Sequence, residues 1–223
     1  MTYSHTRTGI FRARPNRFVA VVEVDGAEVI CHVKNTGRCK ELLVPGCTVV
    51  LEASANPARK TPYDVIAVYK GGRLINMDSQ APNKVAETYL QERFPEAIIR
   101  REVTYGESRF DFHLKQGEEE WWVEVKGCTL ERDNIGYFPD APTDRGVKHL
   151  RHLTKAVEEG YKAAVLFVIQ MEGITAIRPN DETHPAFGEA LRLAAKTGVE
   201  IWAVDCIVTP DTLVHRNPVA VEL

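Results

Sequence analysis

Between Arg17 and Asp78 the chain repeats one local pattern that leaves few folds open: short apolar-rich runs with strand-like alternation, each ended by turn residues. The runs are RFVAVVEV, AEVICHV, CTVVLEA, YDVIAVY and RLINM. A period of two turns one strand face toward a core and the other toward water. Asp25-Gly26 between the first two runs, and Gly71-Gly72 between the last two, suit tight hairpins because these residues enter the left-handed backbone region at little steric cost. Five short strands joined this way predict a small β-barrel of the OB type, with a sandwich of the same strand count as the alternative.

After Pro82 the period changes. Val85, Ala86, Tyr89 and Leu90 recur at helical spacing until Phe94-Pro95 closes the segment. This places a boundary near residue 80 and divides the chain into an OB-like domain, 1–80, and a second domain, 81–223. The second domain reads as helix 83–93, strands near 98–105, 108–114 and 120–127, helix 144–159, strands 161–169 and 173–178, helix 185–197 and strand 199–205. Strands alternating with helices predict an α/β domain built on a mixed sheet covered by helices.

The 223 residues carry 44% hydrophobic content, enough for a sizeable core. The longest apolar run, near Ala163 to Ile169, is far shorter than the roughly 20 residues of a membrane span, and the first residues lack a signal-peptide pattern. The expected setting is the cytoplasm, away from membranes. Five cysteines, an odd number with no CxxC pair, read as reduced, mostly buried thiols and not as a disulfide or zinc framework. Net charge is −3 but divides unevenly. Residues 1–80 hold 11 Lys and Arg against 7 Asp and Glu, a net +4, which leaves −7 for the remainder. Such a contrast suits a basic binding module beside an acidic site.

The acidic site is legible in two adjacent runs. In SRFDFHL, alternation sets Phe110, Phe112 and Leu114 on one face and Arg109, Asp111 and His113 on the other; in WWVEVK it sets Trp121, Val123 and Val125 against Trp122, Glu124 and Lys126. The short link KQGEEE makes the two runs a hairpin, so Asp111 and Glu124 converge. Two buried carboxylates repel each other and call for a compensating cation. Mg2+ (or Mn2+) is expected there, held by Asp111 and Glu124 with a main-chain carbonyl such as that of Val125, water and substrate phosphate completing the shell. Lys126, about 6.6 Å along the strand from Glu124 at roughly 3.3 Å per residue, is placed to orient water or neutralise phosphate charge. Glu87 lies at the edge of the preceding helix's apolar stripe, where a docked helix could aim it at the sheet.

A second helix, TDRGVKHLRHLTKAVEEG, is capped by Thr143 and ends at Gly160. Val147, Leu150, Leu153 and Val157 form its buried stripe, and every ionisable group from Arg145 to Lys155 is basic or His. That face suits phosphates beside an acidic site. His32 and His113 read as satisfied strand histidines, the Asn35–Arg38 turn as a polar loop with Arg38 exposed, and the Gly/Pro-punctuated loop before the basic helix offers Asp140 as a supporting acid.

Asp-x(12)-Glu-x-Lys, a glutamate on the preceding helix and a basic helix after it resemble the PD-(D/E)xK nuclease superfamily. Over nearly the whole length, RPNRFVA, HVKNTGRCKELLVPG, SRFDFHL, WWVEVKGCTL and YFPDAPTDRGVKHLRHL resemble the sugar fermentation stimulation protein family. The resemblance implies an OB-like barrel joined to a nuclease-like (restriction-endonuclease-like) α/β domain, DNA binding with little sequence preference, and a link to sugar utilisation. By motif, Glu87, Asp111, Glu124 and Lys126 fall on the superfamily's acidic helix residue, metal aspartate, metal glutamate and lysine; Phe110 stands where the nominal motif has proline. The expected function is a Mg-dependent DNA endonuclease, with a non-catalytic DNA-binding regulator of sugar utilisation as the alternative. DNA is expected to run from the barrel, past Arg14, Arg17 and Arg38, to Arg145, Lys148, Arg151 and Lys155. No small-molecule cofactor is expected, and a homodimer would let two sites address both strands.

Overall fold

The computed structural model describes residues 1–35, 37–56 and 58–223; Thr36, within the polar turn read from the sequence, lies outside them. The first domain comprises β1 (Thr6–Asn16), β2 (Val19–Val24), β3 (Ala27–Val33), β4 (Thr48–Ala53), β5 (Tyr63–Lys70) and β6 (Arg73–Asn76). Their order is β3-β2-β1-β4-β5-β6, and an additional β3–β5 pairing closes β1 to β5 into a ring. The closing contact is parallel, His32 opposite Asp64 and Val33 opposite Val65. Phe11, Ala20, Val22, Cys31, Leu51 and Val65 are buried in the barrel core.

The barrel has five strands, but not the five runs that alternation marks. RLINM is β6, an arm hydrogen-bonded to β5 outside the ring, and the remaining place is taken by β1, which shows little apolar periodicity. Only Gly9 and Phe11 of β1 are buried, and its position is fixed by pairing with both β2 and β4. Gly9 is required by close approach: a Cβ there would lie 2.6 Å from Val22 Cγ1 and 2.9 Å from the Glu23 carbonyl.

The second domain begins with α1 (Ala81–Arg93) and continues through β7 (Ile98–Tyr105), β8 (Ser108–Gln116), β9 (Glu119–Cys128), β10 (Leu130–Arg132), β11 (Ile135–Phe138), α2 (Asp144–Glu158), β12 (Lys162–Ile169), β13 (Ala176–Pro179), α3 (Pro185–Thr197), β14 (Glu200–Val208), β15 (Leu213–Pro218) and β16 (Ala220–Val221). The main sheet is mixed, in the order β15-β14-β12-β9-β8-β7; β12 is parallel to both β9 and β14, and the outer pairs are antiparallel. Both faces are covered. Ala164, Leu166 and Val168 pack with Val85 and Leu90 of α1, while Val165 and Phe167 pack with Leu150 and Leu153 of α2 and Phe187 of α3. A central strand buried on both sides reads as a continuous apolar run, as KAAVLFVI does.

A small second sheet, β10-β11-β13-β16, joins two strands from the segment before the basic helix that reads as loop to β13, near the strand read at 173–178, and to the short β16. Its first hairpin turns at Asp133 and Asn134, with φ of 52° and 63° respectively. Asp and Asn tolerate this left-handed region better than other side chains. The two domains are pinned by a buried polar network. The Asn76 N–H donates to the Gln170 carbonyl (2.9 Å), and Gln170 Nε2 donates to Asn76 Oδ1 (2.8 Å) and the Asp78 carbonyl (3.1 Å). Among the described residues no helix is long and apolar enough to cross a membrane.

Candidate functional site

The β8–β9 hairpin turns at Gly117, where φ is 61°, and its β9 side chains alternate as the sequence requires. Trp121, Val123 and Val125 pack with α1; Trp122 packs on the opposite face, where Glu124 meets His149 of α2. β8 departs from simple alternation. Phe112 and Leu114 pack with α1, but Phe110 belongs to the opposite cluster, against Tyr105, Trp122 and His149. Phe110 therefore does not share a face with Phe112 and Leu114. The cause lies between them: the recorded β7–β8 pairs pass from Arg101–Phe112 to Val103–Phe110, and Glu102, opposite Asp111, has φ of 53°.

The β8–β9 ladder ends at Phe112–Val123, and beyond it the Asp111 side chain takes over as acceptor. Asp111 Oδ2 accepts from the Val125 N–H (2.7 Å) and Oδ1 from Asn83 Nδ2 of α1 (2.8 Å). Across the hairpin, Glu124 Oε1 accepts from Lys126 Nζ and His149 Nδ1, each at 2.5 Å. Glu124 Oε2 is buried and has no hydrogen-bond partner. Leaving such an acceptor unmatched costs on the order of 1–3 kcal/mol, more when it is charged.

The two carboxylates are tuned in opposite directions. Burial pushes the Asp111 pKa up and the neighbouring Glu124 charge adds to this, outweighing the Val125 and Asn83 hydrogen bonds and the Lys126 charge. Burial also works to raise Glu124, but the His149 hydrogen bond and the Lys126 charge prevail and hold it below the usual glutamate value. A cation between Asp111 and Glu124 Oε2 would relieve the first penalty and occupy the unmatched acceptor of the second, so the residues present fit a hard, oxygen-seeking metal. Among the described residues no group of three or more His, Cys, Asp or Glu is arranged to hold a metal ion. The remaining ligands of such an ion would come from main chain, water and substrate.

Asp111, Glu124 and Lys126 are thus brought together, and Glu87 is not. Glu87 sits one turn beyond Asn83 on α1, its carboxylate 3.5 Å from Arg101 Nη1; it is Asn83 that reaches Asp111. The basic face of α2 is partly engaged: Lys148 pairs with Glu107 (3.2 Å), Lys155 with Glu159 (3.5 Å), and Arg145 Nε meets His149 Nε2 (3.3 Å). Arg151 is exposed. On the barrel, Arg14 donates to the carbonyls of Arg17, Asn35 and Arg38 and so shapes the loop, whereas Arg17 and Arg38 are exposed. His32 meets Asp64 at 2.8 Å and His113 meets Glu120 at 3.1 Å.

Sequence reasoning passed over Asn83 and set His149 with the basic residues outside the buried stripe of α2, whereas the structure buries it. The signal for His149 was present: on a wheel of about 100° per residue it falls between Leu153 and Ala156, inside the buried arc, and it is 5% exposed. Its basic neighbours hid it. Asn83 gives no comparable signal, since an asparagine in a first helical turn is commonplace.

Comparisons with known proteins find relatives along the whole chain. Residues 80–212 match the family described as the sugar fermentation stimulation protein RE domain, and residues 13–77 match the SfsA N-terminal OB domain. A sugar fermentation stimulation protein homolog of Desulfitobacterium hafniense (strain DSM 10664 / DCB-2) is 54% identical over 225 residues, covering 100% of this chain and 99% of its own. The homolog of Clostridium beijerinckii is 50% identical over 226 residues, with both chains fully covered. Among solved structures, Pyrococcus furiosus SfsA in complex with Ca2+ superposes with a TM-score of 0.89 at 27% identity, covering 100% of this chain and 98% of the other.

Proposed function

Since the chain belongs to the sugar fermentation stimulation protein family, we propose that it is a DNA-binding protein whose second domain is a PD-(D/E)xK-type, metal-dependent endonuclease with little sequence preference. The observation that carries this reading is the buried carboxylate pair, with Glu124 Oε2 unmatched and Asp111 held above its usual pKa. Mg2+ or Mn2+ suits these oxygens, and the structural relative was solved in complex with Ca2+, a cation of the same hard class.

Asp111 and Glu124 would hold the ion, which supplies a Lewis acid for the phosphodiester and for the attacking water. The chain's own groups hold the arrangement in place. Asn83 and the Val125 N–H fix both oxygens of Asp111, and His149 fixes one oxygen of Glu124 while the other is left without a partner. Lys126 places a positive charge beside Glu124, where it can donate to a phosphate oxygen or orient the water that forms the new P–O bond as the P–O bond to the leaving strand breaks. Glu87, engaged by Arg101, acts at most from the rim.

The test is incubation with plasmid, branched and single-stranded DNA in Mg2+ or Mn2+. Cleavage is expected, and Asp111→Ala should abolish it; cleavage undiminished in that variant would remove the site assignment. A non-catalytic DNA-binding regulator of sugar utilisation is the second reading. It is favoured by the lack of a third acidic ligand among the described residues, and it predicts binding without turnover, with Glu124→Ala leaving DNA affinity intact or raised.

A further inference from the structure

A cleft of about 400 Å3 lies between the barrel and the second domain, bordered by Asn83, Val125, Gly127, Asp140 and Gln170; it reaches the carboxylate site through Asn83 and Val125, whose side-chain amide and N–H hold Asp111. That volume lies at the lower end of the range for small-molecule pockets, which begins on the order of 300 Å3. Its volume is on the scale of one nucleotide. At Gly127 an added Cβ would lie 2.6 Å from both Pro82 Cγ and Gln170 Oε1, so the space depends on a bare backbone there.

Gln170 is 2% exposed. Its amide nitrogen is consumed by Asn76 and Asp78, and among the described residues no donor reaches its Oε1. Asp140, which also lines the cleft, is an exposed carboxylate. The polar groups offered to an occupant thus include acceptors, which match the amino groups on base edges, while Pro82, Pro142 and Phe138 supply apolar wall. Phosphates would be repelled by Asp140; a base would not.

A second cleft of about 490 Å3 adjoins the first and shares Gly37 and Ala141 with it. Arg17, Arg38 and Lys40 line it, and among the described residues none of the three forms an ion pair. The lysines of α2 differ in this respect, because Lys148 and Lys155 already face Glu107 and Glu159. Three cations without an ion-pair partner among the described residues thus line one cleft on the barrel side, whereas on α2 only Arg145 and Arg151 remain without one.

We propose that the chain takes an unpaired DNA strand, with its backbone along the Arg17–Arg38–Lys40 groove and one base seated in the cleft over Gly127, which carries the adjoining phosphate to Asp111 and Glu124. The substrate class is single-stranded or locally unpaired DNA. A basic groove that tracks the backbone beside a seat for a base is the general solution for holding a single strand, and a base leaving a duplex to enter such a seat must first be unstacked. This inference rests on reading Asp111 and Glu124 as the place of cleavage, but its test does not need cleavage.

The experiment is fluorescence anisotropy in EDTA with a 12-nucleotide DNA of mixed sequence, single-stranded or annealed as a blunt duplex, on the full chain. Ala141→Trp, at the junction of the clefts, and Ser79→Trp, on the other wall of the inner one, narrow the path without touching the carboxylates; unchanged melting and circular dichroism establish that each is folded. Wild type should bind the single strand more tightly than the duplex, and whichever variants are folded should lose at least tenfold on the single strand and less than twofold on the duplex. Unchanged single-strand affinity in a folded variant, equal loss on both DNAs, or a wild-type preference for duplex would each overturn the proposal. Because no metal is present, a protein that binds but never cuts still passes this test, and loss of the nuclease reading would be seen separately in the cleavage assay.

Discussion

Asp64 of β5 allows a stability prediction to be worked through. It is 4% exposed and accepts from Arg59 through both oxygens and from His32 Nδ1 at 2.8 Å, with Lys34 Nζ at 3.4 Å. Burial alone would raise its pKa, but the Arg59 and His32 hydrogen bonds and the Lys34 charge bring it from 3.8 down to about 2. At about 1.4 kcal/mol per unit, the difference corresponds to roughly 2 kcal/mol. The folded pKa is depressed, so this contribution is fully present above the unfolded value near 3.8 and is lost as pH falls through the folded value near 2. Asp64→Asn should therefore be less stable than wild type by about 2 kcal/mol at pH 7, with the gap narrowing below about pH 4. Other carboxylates titrate in both proteins and largely cancel in the difference. Urea midpoints should be followed by circular dichroism, because Trp121, Trp122 and Trp202 all lie in the second domain and do not report on the barrel. A gap that stays constant from pH 7 to pH 2.5 would refute the assignment.

Three further outcomes are expected. His149→Phe removes the donor that fixes Glu124 and should weaken Mn2+ binding roughly 10- to 100-fold, the usual cost of losing a group that orients a ligand; His149→Asn, which keeps a donor on a shorter side chain, should recover part of it, and titration calorimetry that finds both within twofold of wild type would remove His149 from the site. Neutralising Arg17, Arg38 and Lys40 together should flatten the salt dependence of single-strand binding by about 2 units of log–log slope, at roughly 0.7 per phosphate contact. The Lys148, Arg151 and Lys155 triple alanine variant should flatten the duplex slope by roughly 2 to 3 units if all three touch phosphate, and by less to the extent that Glu107 and Glu159 already hold the two lysines.

Much of this architecture was legible because local pattern and tertiary role agree. The KAAVLFVI run is apolar on both faces and sits mid-sheet between α1 and the other two helices; Thr143 caps α2 through its Oγ1, which accepts from the Gly146 N–H. Where local pattern and role diverge, reading failed. β1 carries too few buried residues to show a period, yet two neighbours hold it in the ring. Phe110 obeys alternation in sequence and breaks it in space, because the irregularity opposite Glu102 turns it to the α2 face. The metal-site candidates Asp111, Glu124 and Lys126 were readable from spacing on two strands, since a hairpin has little freedom in how it brings them together. Glu87 and Asn83 lie one helical turn apart, and only the docking of α1 decides which of them reaches the sheet.

The central claim is that Asp111 and Glu124 form one divalent-cation site. Isothermal titration of Mn2+ into the metal-free protein tests it most directly, with Asp111→Asn and Glu124→Gln as controls of unchanged fold. A single site in wild type, weakened at least tenfold in both variants, is the expected result. No binding in wild type, or binding in Glu124→Gln equal to that of wild type, would contradict it.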